Sequence, residues 1–222
     1  MKKLFVFLFI LSSIAIAQNK AEQKEYSPYY KHKKSIFESL PNTPGEIIFL
    51  GNSITDGCNW TELFSDLRVK NRGISGDVTE GILNRLDEVT ESNPAKIFIM
   101  IGINDLARNK SKQEILDNCE IIVDQILTDS PETEIYLQSI LPVSKKYGRF
   151  EKHYSKSDSI VSLNKGLESL AKKKGQIYVD LYLSFIDNEN NLKDEFTEDG
   201  LHLNGKAYKV WKSLIDKYIS KD

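Results

Sequence analysis

Short apolar runs bounded by turn residues recur along the chain at 46–50, 96–101, 134–139 and 176–179, with a briefer one at 68–71. Runs this short, with little polar alternation, are the pattern of strands buried on both faces. Between them the period changes. Ile115, Cys119, Ile122 and Ile126 step by four, three and four, which places them on one helical face. Val210 and Leu214, with their neighbours Trp211, Ile215 and Tyr218, line a closing C-terminal helix in the same way. Segments 79–88 and 156–174 read as helices too, the second stopped by Gly175. The polar stretch 18–34 leads into a short helix around 34–40. Strands alternating with helices predict an α/β fold, a three-layer, doubly wound (flavodoxin-like) parallel sheet of about five strands with helices on both faces. Ligands in such sheets sit at the carboxyl ends of the strands.

The first residues follow a different plan. Lys2 and Lys3, an apolar run over 4–14 and the small residues Ala15-Ile16-Ala17 form the three parts of a signal peptide, with cleavage expected after Ala17. That run is shorter than the roughly 20 apolar residues a membrane-spanning helix needs, and no cysteine near the cleavage point offers a thiol for a lipid. An exported protein, periplasmic or secreted and without a stable membrane anchor, is therefore expected. The chain divides into a signal peptide (1–17), an N-terminal segment with a short helix (18–43) and one domain (44–222), a size that buries a substantial core. Loss of Lys2 and Lys3 takes the formal net charge from −2 to −4, and no basic stripe marks a nucleic-acid partner. Cys58 and Cys119 could pair in an oxidising compartment, but Cys119 falls on an apolar helix face, where a free buried thiol is the simpler expectation.

Candidate chemistry gathers at the ends of the runs. The first runs straight into Gly51-Asn52-Ser53-Ile54-Thr55-Asp56-Gly57, placing Ser53 on a turn where a helix N-terminus can face an anion. Taken alone, Ser53 reads first as a helix cap. A nucleophilic serine needs a base and a group to orient it. Of the three histidines, His32 and His153 lie in charged stretches that read as solvated surface, whereas His202 follows Asp199-Gly200-Leu201 just before the last helix. A three-residue separation across a glycine turn lets the carboxylate fold back onto the ring, leaving the second ring nitrogen to accept a proton. Asp199 or Asn204 could instead simply cap that helix. Donors for an oxyanion could come from Asn71-Arg72-Gly73-Ile74-Ser75-Gly76-Asp77 or from Gly102-Ile103-Asn104-Asp105, both of which are also ordinary turn chemistry.

The order of these elements raises their weight. Gly-Asn-Ser after the first strand, Gly73 after the second, Gly-x-Asn-Asp after the third and Asp-x-x-His before the last helix resemble the four blocks of the SGNH hydrolases, the GDSL-like lipases and acylhydrolases, over about residues 47–208. The resemblance implies Ser53 as nucleophile, His202 as general base and Asp199 as its orienting carboxylate. It also implies an oxyanion hole from the Ser53 and Gly73 N–H groups and the Asn104 side chain. Asn52 stands where the family usually has Asp, and Thr55 breaks the Gly-x-Ser-x-Gly elbow of the α/β-hydrolases. The segments 72–77 and 202–208 look most like the branch of the platelet-activating-factor acetylhydrolase catalytic subunits and bacterial O-acetylesterases.

Two-step acyl transfer needs no metal or other cofactor. The expected substrate is a small-molecule or glycan ester, an O-acetylated carbohydrate foremost, with a lysophospholipase or broad short-chain esterase as the alternative and a non-catalytic binding module as the contrasting class. A nucleotide binder lacks both Gly-x-Gly-x-x-Gly and Gly-Lys-Ser/Thr. The loop 145–157, with Lys145, Lys146, Tyr147, Arg149, Lys152 and His153, reads first as a solvated surface loop and second as a cover that binds an acidic sugar.

Overall fold

The computed structural model describes residues 25–219. The apolar runs form the strands β1 (Ile47–Gly51), β2 (Val69–Gly73), β3 (Lys96–Met100), β4 (Glu134–Gln138) and β5 (Ile177–Val179). They pair in parallel throughout, in the order β2-β1-β3-β4-β5. The helices are α1 (Pro28–Ser39), α2 (Ser53–Asp56), α3 (Trp60–Phe64), α4 (Thr79–Leu83), α5 (Asp87–Thr90), α6 (Ile103–Ala107), α7 (Lys112–Asp129), α8 (Glu151–Tyr154), α9 (Ser157–Lys174), α10 (Tyr182–Phe185) and α11 (Gly205–Ile219). This is the doubly wound α/β architecture expected from the alternating periods. The signal peptide assigned to residues 1–17 lies outside the described residues. Among those described, no helix is long and apolar enough to cross a membrane.

β1 and β3 are buried along their whole length, as strands covered on both faces must be. Their register explains a feature the pattern of apolar positions does not show. Phe49, Phe98 and Tyr136 are direct neighbours on β1, β3 and β4, and their rings stack at 5.0 and 4.3 Å. Trp60 covers Phe49 at 4.0 Å and meets Trp211 of α11 edge-on, so a column of large rings fills one side of the sheet. On α7 the buried residues are Ile115, Cys119, Ile122, Val123 and Ile126, the stripe expected from their spacing. Gly175 ends α9 in the left-handed conformation at φ +67°. Cys58 and Cys119 are both free and buried.

Two helices differ from the sequence expectation. α1 starts at Pro28, six residues before the predicted 34, because Ser27 accepts the Tyr30 N–H and proline suits the first helical position. The helix expected over 79–88 is instead α4 and α5, with a break at 84–86. Arg85 causes no apolar signal, yet at the break it turns inward and is fully buried.

Register also sets the height of the site. Gly51 lies opposite Gly73 on one side and Met100 on the other. The three chains therefore leave the sheet level with one another, at the point where strand order reverses around β1 and β3, and the segments after them converge.

Candidate active site

Ser53 is the first residue of α2, directly after β1. It does not cap that helix. Asn52 does, its Oδ1 accepting the Ile54 N–H at 3.0 Å. Asn52 thus supports the loop, and the Ser53 hydroxyl is left to face the cleft. The short helix is held from below by long-range bonds: Asn71 Nδ2 lies 3.1, 3.2 and 2.8 Å from the carbonyls of Thr55, Asp56 and Cys58, and Trp60 and Tyr208 donate to those of Thr55 and Ile54. Asn71 is a supporting residue that its sequence context presents only as turn chemistry.

Across the cleft, His202 Nε2 lies 3.1 Å from Ser53 Oγ, and its Nδ1 lies 2.8 Å from Asp199 Oδ2. The other Asp199 oxygen accepts the backbone N–H groups of Leu201 and His202, at 2.9 and 2.8 Å. Burial works against the charge of Asp199, but the hydrogen bonds from the His202 ring and from these two N–H groups outweigh it and hold the carboxyl below its usual range. Gly200 makes the turn possible, at φ +88° and against the Ser144 carbonyl. Thr197 Oγ1 accepts from the N–H groups of both Asp199 and Gly200. Asn204 caps α11 by accepting from Lys206 and Ala207, so Asp199 is not needed for capping.

The third side of the site departs from the expected pattern at Gly73. Its N–H is not free, because it donates to Asn71 Oδ1 at 2.7 Å on the edge strand β2. A side chain there would collide with the backbone of Thr55 and Asp56, so Gly73 serves close packing beneath α2. The next turn is differently placed. Asp77 N–H donates to Ile74 carbonyl with Gly76 at φ +79°, a glycine-dependent reversal. Ser75 lines the cleft with Ser53, and the N–H groups of Ser75 and Gly76 donate to no described residue. Asn104, at the start of α6, projects toward this turn, and its Nδ2 donates to Asp77 carbonyl at 2.9 Å.

Beneath this side runs a buried ion network. Arg85 donates to Asp77 Oδ2 at 3.0 Å and Glu88 Oε1 at 3.2 Å, Arg72 to Glu88 Oε2 at 3.0 Å, and Arg85 also reaches the carbonyls of Arg72 and Gly51 at 2.9 and 3.3 Å. It ties the ends of β1 and β2 together at the level of Ser53. Burial pushes the Asp77 and Glu88 carboxyls up, and the two arginines pull the other way.

His153 is the second departure. It is half-buried rather than solvated, and its Nε2 lies 3.0 Å from Asn104 Oδ1. Phe150 stands between the two imidazoles, edge-on to His153 and to His202 at 5.7 and 5.3 Å. Much of loop 145–157 is therefore folded onto the site, with Tyr147 bonded to the Thr197 carbonyl and Lys146 paired to Asp194. No sequence signal distinguishes His153 from a surface histidine, since its partner lies 49 residues away.

Of these residues, Ser53, Ser75 and His202 line an open cleft of about 610 Å³, with Tyr29, Asp56, Gly57, Leu203 and Tyr208. Tyr29 comes from α1, and its hydroxyl and Lys33 Nζ both bind Asp56, each at 2.7 Å.

Residues 49–210 match the model of a GDSL-like lipase/acylhydrolase family. Platelet-activating factor acetylhydrolase IB subunit alpha2 of Homo sapiens is 27% identical over 191 residues, 83% of this chain and 80% of the relative. A GDSL-like lipase from Bacteroides thetaiotaomicron has the same fold at a TM-score of 0.75 and 26% identity, over 86% of this chain and 96% of that one. An acetyl xylan esterase, 18% identical, shares the fold at a TM-score of 0.65 over 78% of this chain and 98% of its own.

Proposed function

The chain belongs to the GDSL-like lipase/acylhydrolase family, and from that premise we propose that it is an exported serine esterase that releases short acyl groups, acetyl foremost, from carbohydrates. The observation that carries this reading is the single imidazole that reaches both Ser53 Oγ and the Asp199 carboxylate. His202 Nε2 takes the Ser53 proton as Oγ attacks the ester carbonyl, and Asp199 keeps the Nδ1–H tautomer and stabilises the imidazolium that forms. The proton then passes to the departing sugar hydroxyl. Water, deprotonated by the same nitrogen, releases the acid from the acyl-enzyme and restores the serine.

The negative charge of each tetrahedral intermediate falls to the Ser53 N–H, the Asn104 side-chain amide and the Ser75–Gly76 turn, which takes the place expected of Gly73. An open cleft walled by Tyr29, Asp56 and Tyr208 suits a hydrated, polar alcohol better than a long acyl chain. The human relative is named an acetylhydrolase, in keeping with a short acyl group. Export rests on the Lys2-Lys3, apolar and small-residue pattern of the first 17 residues.

An acetate-release screen over acetylated glycans, with the Ser53→Ala protein as blank, tests the proposal. Release that falls to the blank level on loss of Ser53 is expected. Equal release by both proteins overturns the nucleophile, and faster turnover of long-chain esters overturns the substrate class.

A further inference from the structure

We propose that His153 is a positioning residue that locks the Asn104 amide in the orientation needed to meet the oxyanion; this rests on the esterase reading of the same site. The hydrogen-bond inventory forces the geometry. Asp77 carbonyl can only accept, so the group of the Asn104 amide facing it, at 2.9 Å, is the NH₂. The amide oxygen then faces His153 Nε2 at 3.0 Å, and that nitrogen must carry a proton. One Nδ2–H goes to Asp77 and the oxygen to His153, which leaves a single N–H of Asn104 for the cleft. A flipped amide would set oxygen against the Asp77 carbonyl and its NH₂ against an N–H, and would present no donor to an oxyanion.

The rest of the surroundings fit this tautomer. His153 Nδ1 is enclosed and has no hydrogen-bond partner among the described residues, as suits a bare lone pair rather than a second N–H. The ring is placed by Phe150, whose backbone takes the left-handed conformation at φ +58°, unusual for a large side chain, and so sets its ring between His153 and His202. Burial, foremost, with the nearby His202 and Arg108, lowers the His153 pKa and favours the neutral ring. A neutral His153 adds no charge beside His202 when that residue becomes an imidazolium. The two histidines therefore divide the work: one moves the proton, and the other holds the amide.

The test replaces His153 by Phe, which keeps an edge-on ring and removes the donor, and by Gln, whose Nε2 can restore it. His153→Phe should lower kcat about three- to tenfold, the worth of one ordinary hydrogen bond, with little change in KM, and His153→Gln should recover most of it. In an Asn104→Ala background, His153→Phe should cost nothing further, since the residue it orients is gone. Losses that multiply in the double variant, or an unchanged kcat in His153→Phe, overturn the proposal. Nitrogen NMR of the wild-type imidazoles at neutral pH gives a readout independent of turnover: Nε2–H is expected for His153, and an Nδ1–H tautomer overturns it. If Ser53→Ala is inactive while His153→Phe is fully active, only the positioning role fails; if Ser53→Ala keeps full activity, it is the esterase reading that fails.

Discussion

The base side and the oxyanion side of the cleft are built by different rules. Asp199 and His202 are three residues apart, and Thr197 and Gly200 shape the same short loop, so the ring, its carboxylate and the hydrogen bonds that orient that carboxylate lie within residues 197–202, with Ser144, Tyr147 and Phe150 only packed or bonded around them. Asn104, by contrast, is held by Asp77 from 27 residues away and by His153 from 49, while Arg85 joins β1 to β2 underneath. The pairing of ring and carboxylate on the base side is set within one loop. On the oxyanion side the geometry belongs to the sheet, because it exists only when strand ends lie level and a distant loop closes over them.

This contrast predicts different consequences of damage. The largest effect is expected on the local side: Asp199→Asn should lower kcat about 10⁴-fold, because an amide no longer enforces the correct imidazole tautomer. Burst kinetics with a chromogenic acetyl ester would show the loss in acylation. The same variant tests the electrostatics. The folded Asp199 pKa is lowered, so its contribution to stability is complete above the unfolded value of about 3.9 and is lost as pH falls through the lower folded value. The difference in unfolding free energy between wild type and Asp199→Asn should be flat from neutral pH down to that range and shrink below it. A difference that shrinks as pH rises from acid to neutral contradicts the assignment.

The assembled side should fail first through stability. Arg85→Leu leaves Asp77 without its guanidinium and Glu88 with Arg72 alone, and is expected to cost about 3–5 kcal/mol in urea unfolding. A fully stable variant would show that the two strand ends hold their level without the network. Removing the donor itself should do less to the fold than loss of Arg85: Asn104→Ala is expected to lower kcat about 10²–10³-fold and to cost only about 1–2 kcal/mol in urea unfolding for the lost bonds to Asp77 and His153. Unchanged turnover removes Asn104 from the site.

What could be read from the chain follows the same division. Ser53, Asp199 and His202 stand in short motifs that are ambiguous one by one and were singled out as candidates by their order along the chain, whereas the strands were legible because runs such as Ile47–Leu50 contain nothing that water would favour. The same order, through the Gly-x-Asn-Asp block, singled out Asn104 as a candidate. Gly73 was misassigned: a glycine after a strand suits either a donor N–H or close packing, and only the Asn71 side chain lying across it decides for packing. His153 reads as solvated, and Arg85 carries no signal at all, for a related reason. A charged residue in a helical segment and a histidine in a basic loop look solvated until their partners arrive from elsewhere in the chain.

Periodicity by itself determined the doubly wound layers and the strand ends, which depend on side chains within a few residues of one another, while the candidate groups Ser53, Asp199 and His202 were singled out by the order of four short blocks that resembles the SGNH hydrolases. The orientation of the Asn104 amide, the free N–H groups of the Ser75–Gly76 turn, the contribution of Tyr29 from α1 and the level of the three strand ends were decided only by the tertiary structure. Each is a relation between segments whose separation in sequence carries no periodic or motif signal, and each becomes definite only when the parallel register is set.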